Sequence, residues 1–148
     1  MTKESINKLD RIINVAADLL LEISDEEFSG KASPEKWSKK EILGHLIDSA
    51  TNNHQRFIRA QFESTPEIVY DQDKWNKLNF YQEIESVQII NFWTIYNRQL
   101  IEIIKRIPKE SLMKQVRIGE SLLTLEFIIG DYVEHLEHHL KQIIDYKQ

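Results

Sequence analysis

The sequence contains no cysteine. That absence removes disulfides, thiolate metal ligands and a protein-borne thiol nucleophile, so any thiol chemistry must draw on an external thiol. Loop formers are scarce as well, with four glycines and three prolines in 148 residues, and long helices are the natural expectation of such a composition. No run approaches the ~20 consecutive apolar residues of a membrane span. The opening MTKESINKLDRI lacks the apolar core of a signal peptide, and a cytoplasmic protein with no membrane partner is expected. Basic side chains are outnumbered, 19 against 24 acidic for a net charge of −5, and no Lys/Arg cluster rises above that balance. A nucleic-acid partner has no electrostatic support.

What is present is helical periodicity over one domain, residues 1–148. A chain of this length buries about 68–70% of its unfolded surface and needs no metal merely to fold. Residues 4–23 repeat apolar positions at helical spacing through Ile6, Leu9, Ile13, Ala16 and Leu20. The segment SDEEFSGKASPEKW then supplies turn formers. Ser38, with Glu41 three positions on, carries a capping-box signature for a second helix over residues 39–62. From 63 to 79 the pattern fails, and the stretch reads as a long connection that Tyr70 and Trp75 hold to the body. A third helix over 81–107 has broad apolar coverage and ends before Pro108. KESLMKQVRIGESLLT is expected to hold an extended turn or hairpin, and a fourth helix begins near Leu123, capped by Ser121 or Thr124, with residues 145–148 fraying. Four amphipathic helices with one long crossover connection predict an all-α four-helix bundle, a fold that builds metal sites from side chains on different helices.

Three of the five histidines fall in YVEHLEHHLKQ near the end of the chain. His135 and His139 are four residues apart and stack on one helical face, a spacing that suits a single metal ion bound by neutral imidazole. His138 lies about a third of a turn from His139 and is expected to be exposed. The same spacing also describes two surface histidines on an amphipathic helix, so a third ligand must come from elsewhere. On the second helix, pattern nominates His54, which shares the apolar stripe of Leu43, Leu46, Ile47, Ala50 and Phe57. A lone stripe histidine is nevertheless more often a hydrogen-bonded core residue. His45 falls on the other side with Ser49, Asn52 and Arg56, beside Gly44, where the missing side chain permits close approach of another element. Periodicity leaves the choice open.

The block WSKKEILGHLIDSATNNHQRF, carrying Trp37, His45, Asp48, Ser49, Asn52 or Asn53, Arg56 and Phe57, resembles the DinB-like superfamily. Within it, the similarity is to the YfiT-like branch of metal-dependent hydrolases and bacillithiol transferases. TPEIVYDQDKW, through Pro66, Tyr70, Asp71 and Trp75, resembles the same branch, as does HLEHHLKQI, so the likeness spans residues 37–143. The resemblance implies a bundle, commonly dimeric, whose divalent metal is most often nickel or zinc. One histidine of the second helix and an H-x-x-x-H pair of the last would hold it, and His45, His135 and His139 stand at the matching positions.

Three ligands leave an open position, where bound water or thiol becomes more acidic. The activity so implied is transfer of a low-molecular-weight thiol cosubstrate to an electrophilic small molecule. Metal-dependent hydrolysis and a non-catalytic metal-binding bundle are the alternatives, and no catalytic residue is assigned. Asp48 is a candidate to accept a hydrogen bond from an imidazole or to be a solvated helix carboxylate. Arg56 is a candidate partner for an anionic substrate group or for an intrahelical pair with Asn52 or a neighbouring acid. Tyr70 and Trp75 either contact substrate or staple the connection. A homodimer is expected chiefly from the resemblance.

Overall fold

The computed structural model describes residues 1–146. Its α-helices are α1 (Thr2–Leu21), α2 (Asp25–Ser29), α3 (Lys39–Phe62), α4 (Gln72–Leu78), α5 (Ser86–Ile104) and α6 (Leu125–Leu140), and a hairpin of β1 (Gln115–Ile118) and β2 (Ser121–Thr124) precedes α6. The four long helices make the bundle. α1 packs on α5 and α6, and α3 packs on the same two, so α1 and α3 stand at opposite corners. α3 and α6 are therefore neighbours, and this adjacency positions the histidines. Leu9, Ile13, Phe57, Trp93, Tyr132 and Leu136 are closed to solvent between the helices, each such burial worth about 1.5–3 kcal/mol. The Phe57 and Tyr132 rings meet edge to face with centroids 5.8 Å apart.

The structure departs from the sequence pattern where elements are short. The turn-rich stretch after α1 contains α2, because the Ser24 hydroxyl accepts from the Glu27 N–H at 3.2 Å and three acidic residues complement the helix N-terminus. Five residues are too few for periodicity to register. The long connection likewise contains α4, started by Asp71, whose carboxylate accepts from the Lys74 N–H at 3.1 Å. The helix expected from residue 81 begins at Ser86 instead, after a 3-10 turn over Tyr81–Glu83. Phe80 takes a left-handed φ of 53°, which breaks the helical path ahead of that turn.

The hairpin is present, its strands antiparallel from Gln115↔Thr124 to Ile118↔Ser121, with Gly119 at φ +61° in the turn. The crossover is sewn to it, as Ile68 N–H donates to Arg117 at 3.1 Å and Arg117 N–H donates to Pro66 at 2.9 Å. Of the two candidate caps for α6, Thr124 is used, its hydroxyl accepting from the Phe127 N–H at 3.2 Å. Fraying does not begin at residue 145, because Tyr146 is buried and its hydroxyl donates to Glu137 at 2.8 Å. Residues 147 and 148 lie outside the described residues.

Candidate metal centre

Ser38 fixes where α3 starts. Its hydroxyl accepts from Glu41 N–H at 3.0 Å while the Glu41 carboxylate accepts from Ser38 N–H at 3.1 Å, a closed capping box. From that origin His45, Ser49, Asn52 and Arg56 recur at steps of four, three and four, which align on one narrow helical stripe. All four are buried. Their side is the one opposite the apolar stripe, yet α6 and α4 pack against α3 and close it off.

Across the α3–α6 seam His45 meets the H-x-x-x-H pair. Ring centroids lie 5.0 Å apart for His45 and His135, 4.7 Å for His45 and His139, and 4.6 Å for His135 and His139. One ligand atom from each of the three lies within 4.8 Å of the others. The Nε2 atoms of His45 and His135 are 3.2 Å apart. Two nitrogens sharing one tetrahedral ion at ~2.0–2.1 Å stand about 3.4 Å apart, so the pair fits a common ion. Burial, followed by the charge of the neighbouring imidazoles, lowers the pKa of His45 and of His135 to about 4. Both rings are therefore neutral at pH 7, the form a metal takes.

Three further contacts shape the centre. His139 Nδ1 pairs with Gln142 Oε1 at 3.1 Å, and with the proton on Nδ1 this bond leaves Nε2 free as a ligand. Sequence reasoning missed Gln142; three-residue spacing just past the helix end was the available signal. The Trp37 ring lies 5.1 Å from that of His45 and covers it. Among the described residues, His45 Nδ1 is buried with no hydrogen-bond partner.

The remaining candidates take other positions. His54, the choice of the apolar pattern, is half-buried and pairs its Nδ1 with the Tyr96 hydroxyl at 2.8 Å, outside the cluster. His138 is exposed. Asp48 bonds to no imidazole; its Oδ1 accepts from Tyr81 at 2.6 Å and from Asn79 at 2.9 Å. It is not a solvated helix carboxylate either, and burial raises its pKa to about 6 against the pull of those two bonds. Asn52 donates to the Asp48 carbonyl at 2.9 Å. Arg56 pairs with Asn53 rather than Asn52, and its Nε and Nη2 grip the Ile68 carbonyl at 3.3 and 2.9 Å, tying the crossover to α3. Tyr70 and Trp75 lie edge to face at 5.9 Å, and burial raises the Tyr70 pKa above its ordinary value.

A sequence profile described as the DinB superfamily matches residues 8–143. The "Putative metal-dependent hydrolase YfiT" of Bacillus subtilis is 26% identical over 123 residues, which cover 74% of this chain and 63% of that protein. A "Putative metal-dependent hydrolase" of Oceanobacillus iheyensis is 23% identical over 143 residues, covering 95% and 82% of the two chains. The solved structure of YfiT, described as having "an unusual four-helix bundle topology", aligns with a TM-score of 0.84 at 20% identity, over 96% of this chain and 83% of that one. Likeness at that identity speaks for the shared fold.

Proposed function

The chain belongs to the DinB superfamily, and from that premise we propose that it is a divalent-metal-dependent enzyme whose ion, nickel or zinc, is held by His45, His135 and His139. The observation that carries this reading is the convergence of three imidazoles from two helices, with ligand atoms within 4.8 Å. When bound, such an ion supplies a Lewis acid with an open position that makes a coordinated nucleophile more acidic. We favour a low-molecular-weight thiol as that nucleophile, acting on an electrophilic small molecule, since the cosubstrate brings the sulfur that a chain without cysteine lacks. The sulfur forms the new bond to carbon, the leaving group departs with its bonding pair, and the thiol proton passes to solvent. Hydrolysis is the second reading, favoured by the names of the relatives.

The chain's own groups hold and shield the reactants. Gln142 orients His139, and Trp37 screens His45 from water. Arg56 anchors the crossover at Ile68, which leaves the Tyr70 phenol, kept protonated by burial, as a neutral donor beside the polar stripe. We also propose a cytoplasmic homodimer that binds no nucleic acid, supported by the net charge of −5 and by the exposed Val87 and Ile95 of α5. Among the described residues no helix is long and apolar enough to cross a membrane.

The test is elemental analysis of the protein as isolated, followed by assay with bacillithiol, with glutathione and with an aryl chloride or epoxide. Bound metal with thiol-dependent loss of the electrophile sustains the transferase. Thiol-independent cleavage of an ester or amide assigns the hydrolase, metal with neither activity leaves a binding bundle, and protein that takes up no metal overturns all three.

A further inference from the structure

A cavity of about 330 Å³ lies against α3, α4 and α5 and is lined by Asp48, Thr51, Trp75, Tyr81, Gln88 and Phe92 among others. None of the three clustered histidines lines it, and among the described residues Asp48 is the one charged residue that does. That carboxylate is half-satisfied. Oδ1 accepts both bonds, from Tyr81 and Asn79, while Oδ2 is buried with no partner among the described residues. An orphaned carboxylate oxygen is costly, and native proteins seldom keep one without a use.

The arrangement is also built at a backbone cost. Phe80 holds a left-handed conformation between Asn79 and Tyr81, the two residues that clamp Oδ1, and such strain in a non-glycine residue persists only where its surroundings impose it. Tyr81 in turn lies on Gly44, where an added Cβ would meet the ring at 2.2 Å. Helix α3 thus gives up a side chain so that the phenol can reach Asp48.

We propose that this cavity binds a small organic ammonium, a protonated alkyl or aryl amine, whose N–H groups donate to Asp48. Trp75, Tyr81 and Phe92 line the cavity and supply aromatic rings, whose faces attract a cation, and among the described residues no lysine or arginine lines it to compete with one. Asp48 repels an anion there, and a neutral alcohol supplies a donor without the charge. The site is independent of the metal reading.

The test is calorimetric titration of benzylammonium chloride into metal-stripped protein at about pH 8, where Asp48 is ionised, with benzyl alcohol as the neutral counterpart. The amine is expected to bind saturably and about tenfold or more tighter than the alcohol, and Asp48→Asn to weaken it by about tenfold or more. Phe92→Ala, at a residue 52% exposed, is expected to weaken it severalfold with helicity unchanged, and His135→Ala to leave it unaltered. Absence of saturable binding, equal affinity for amine and alcohol, or amine binding that survives Asp48→Asn and fails in His135→Ala overturns the proposal. Should Asp48→Asn not fold, the amine–alcohol comparison and Phe92→Ala decide.

Discussion

The two sides of α3 are both buried, and they are built on opposite principles. Leu43, Leu46, Ile47, Ala50 and Phe57 close one side and stabilise the fold in proportion to the apolar area removed, at about 25 cal/mol per Å². The other side buries His45, Asp48, Ser49, Asn52, Asn53 and Arg56, groups that cost free energy unless each is bonded. Much of that bonding is inward. Asn52 and Asn53 donate to carbonyls one turn back, at 2.9 Å each, and Arg56 takes a backbone carbonyl rather than a carboxylate. Apolar residues of similar volume often serve stability at least as well as buried charged groups. Under the proposed function the polar side carries the site, and the apolar side packs the helix against the bundle.

The largest effects should separate the histidines of these two sides. Substituting His45, His135 or His139 by Ala is expected to abolish tight nickel or zinc binding in equilibrium dialysis, while His54→Ala and His138→Ala retain it. Gln142→Ala is expected to weaken binding by about 10–100-fold, the usual consequence of losing a hydrogen-bonded support to a ligand. Metal lost in His54→Ala and kept in His45→Ala would erase the distinction between the two sides.

Two glycines sharpen the comparison at the level of packing. Gly44→Ala drives a Cβ into the Tyr81 ring and is expected to cost about 1–3 kcal/mol by urea denaturation, as overpacking does. At Gly130 in α6 an added Cβ meets nothing nearer than Ser5 Oγ at 3.8 Å. Gly130→Ala should therefore stabilise the protein by up to about 1 kcal/mol through helix propensity. A neutral Gly44→Ala would show that Tyr81 does not need its seat on α3.

Metal removal should be milder. The apolar side and the rest of the core carry the fold, so chelated protein is expected to keep its helical circular dichroism. Its melting temperature should fall, because a ligand bound only to the native state adds about 2.7 kcal/mol at 100 times its Kd. Loss of helicity on chelation would make the ion a structural staple.

The pH dependence of the metal-free protein takes its sign chiefly from His45, His135 and Asp48. His45 and His135 titrate near 4 when folded and near 6.5 when unfolded. Over that interval the unfolded chain binds more protons and stability rises with pH. Asp48 is raised to about 6 from about 3.9 unfolded, so the folded chain holds its proton longer and this group acts in the opposite direction. Two histidines outweigh one carboxylate, and the urea midpoint should increase between pH 5 and 7. In a His45→Ala/His135→Ala double variant the slope should reverse, and an unchanged slope would place the titration elsewhere.

Local physics made much of this legible in advance. Ser38 and Glu41 mark the start of α3 because a capping box needs only residues three apart. The four-residue spacing of His135 and His139 makes them neighbours on any helix. Similarity of ordered blocks led to His45, where hydrophobic pattern alone led to His54. The set of long helices follows from the chain alone, since 3.6-residue periodicity is a property of the chain and not of its surroundings. Only the tertiary structure decided which side of α3 faces the site. The crossover, gripped by Arg56 at Ile68 and sewn to Arg117, returns over the polar side, and α6 packs beside it. Burial depends on what comes to lie over a face, and the cover here comes from partners 12 to 90 positions away, Ile68 over Arg56 and His135 over His45; no window along α3 contains them.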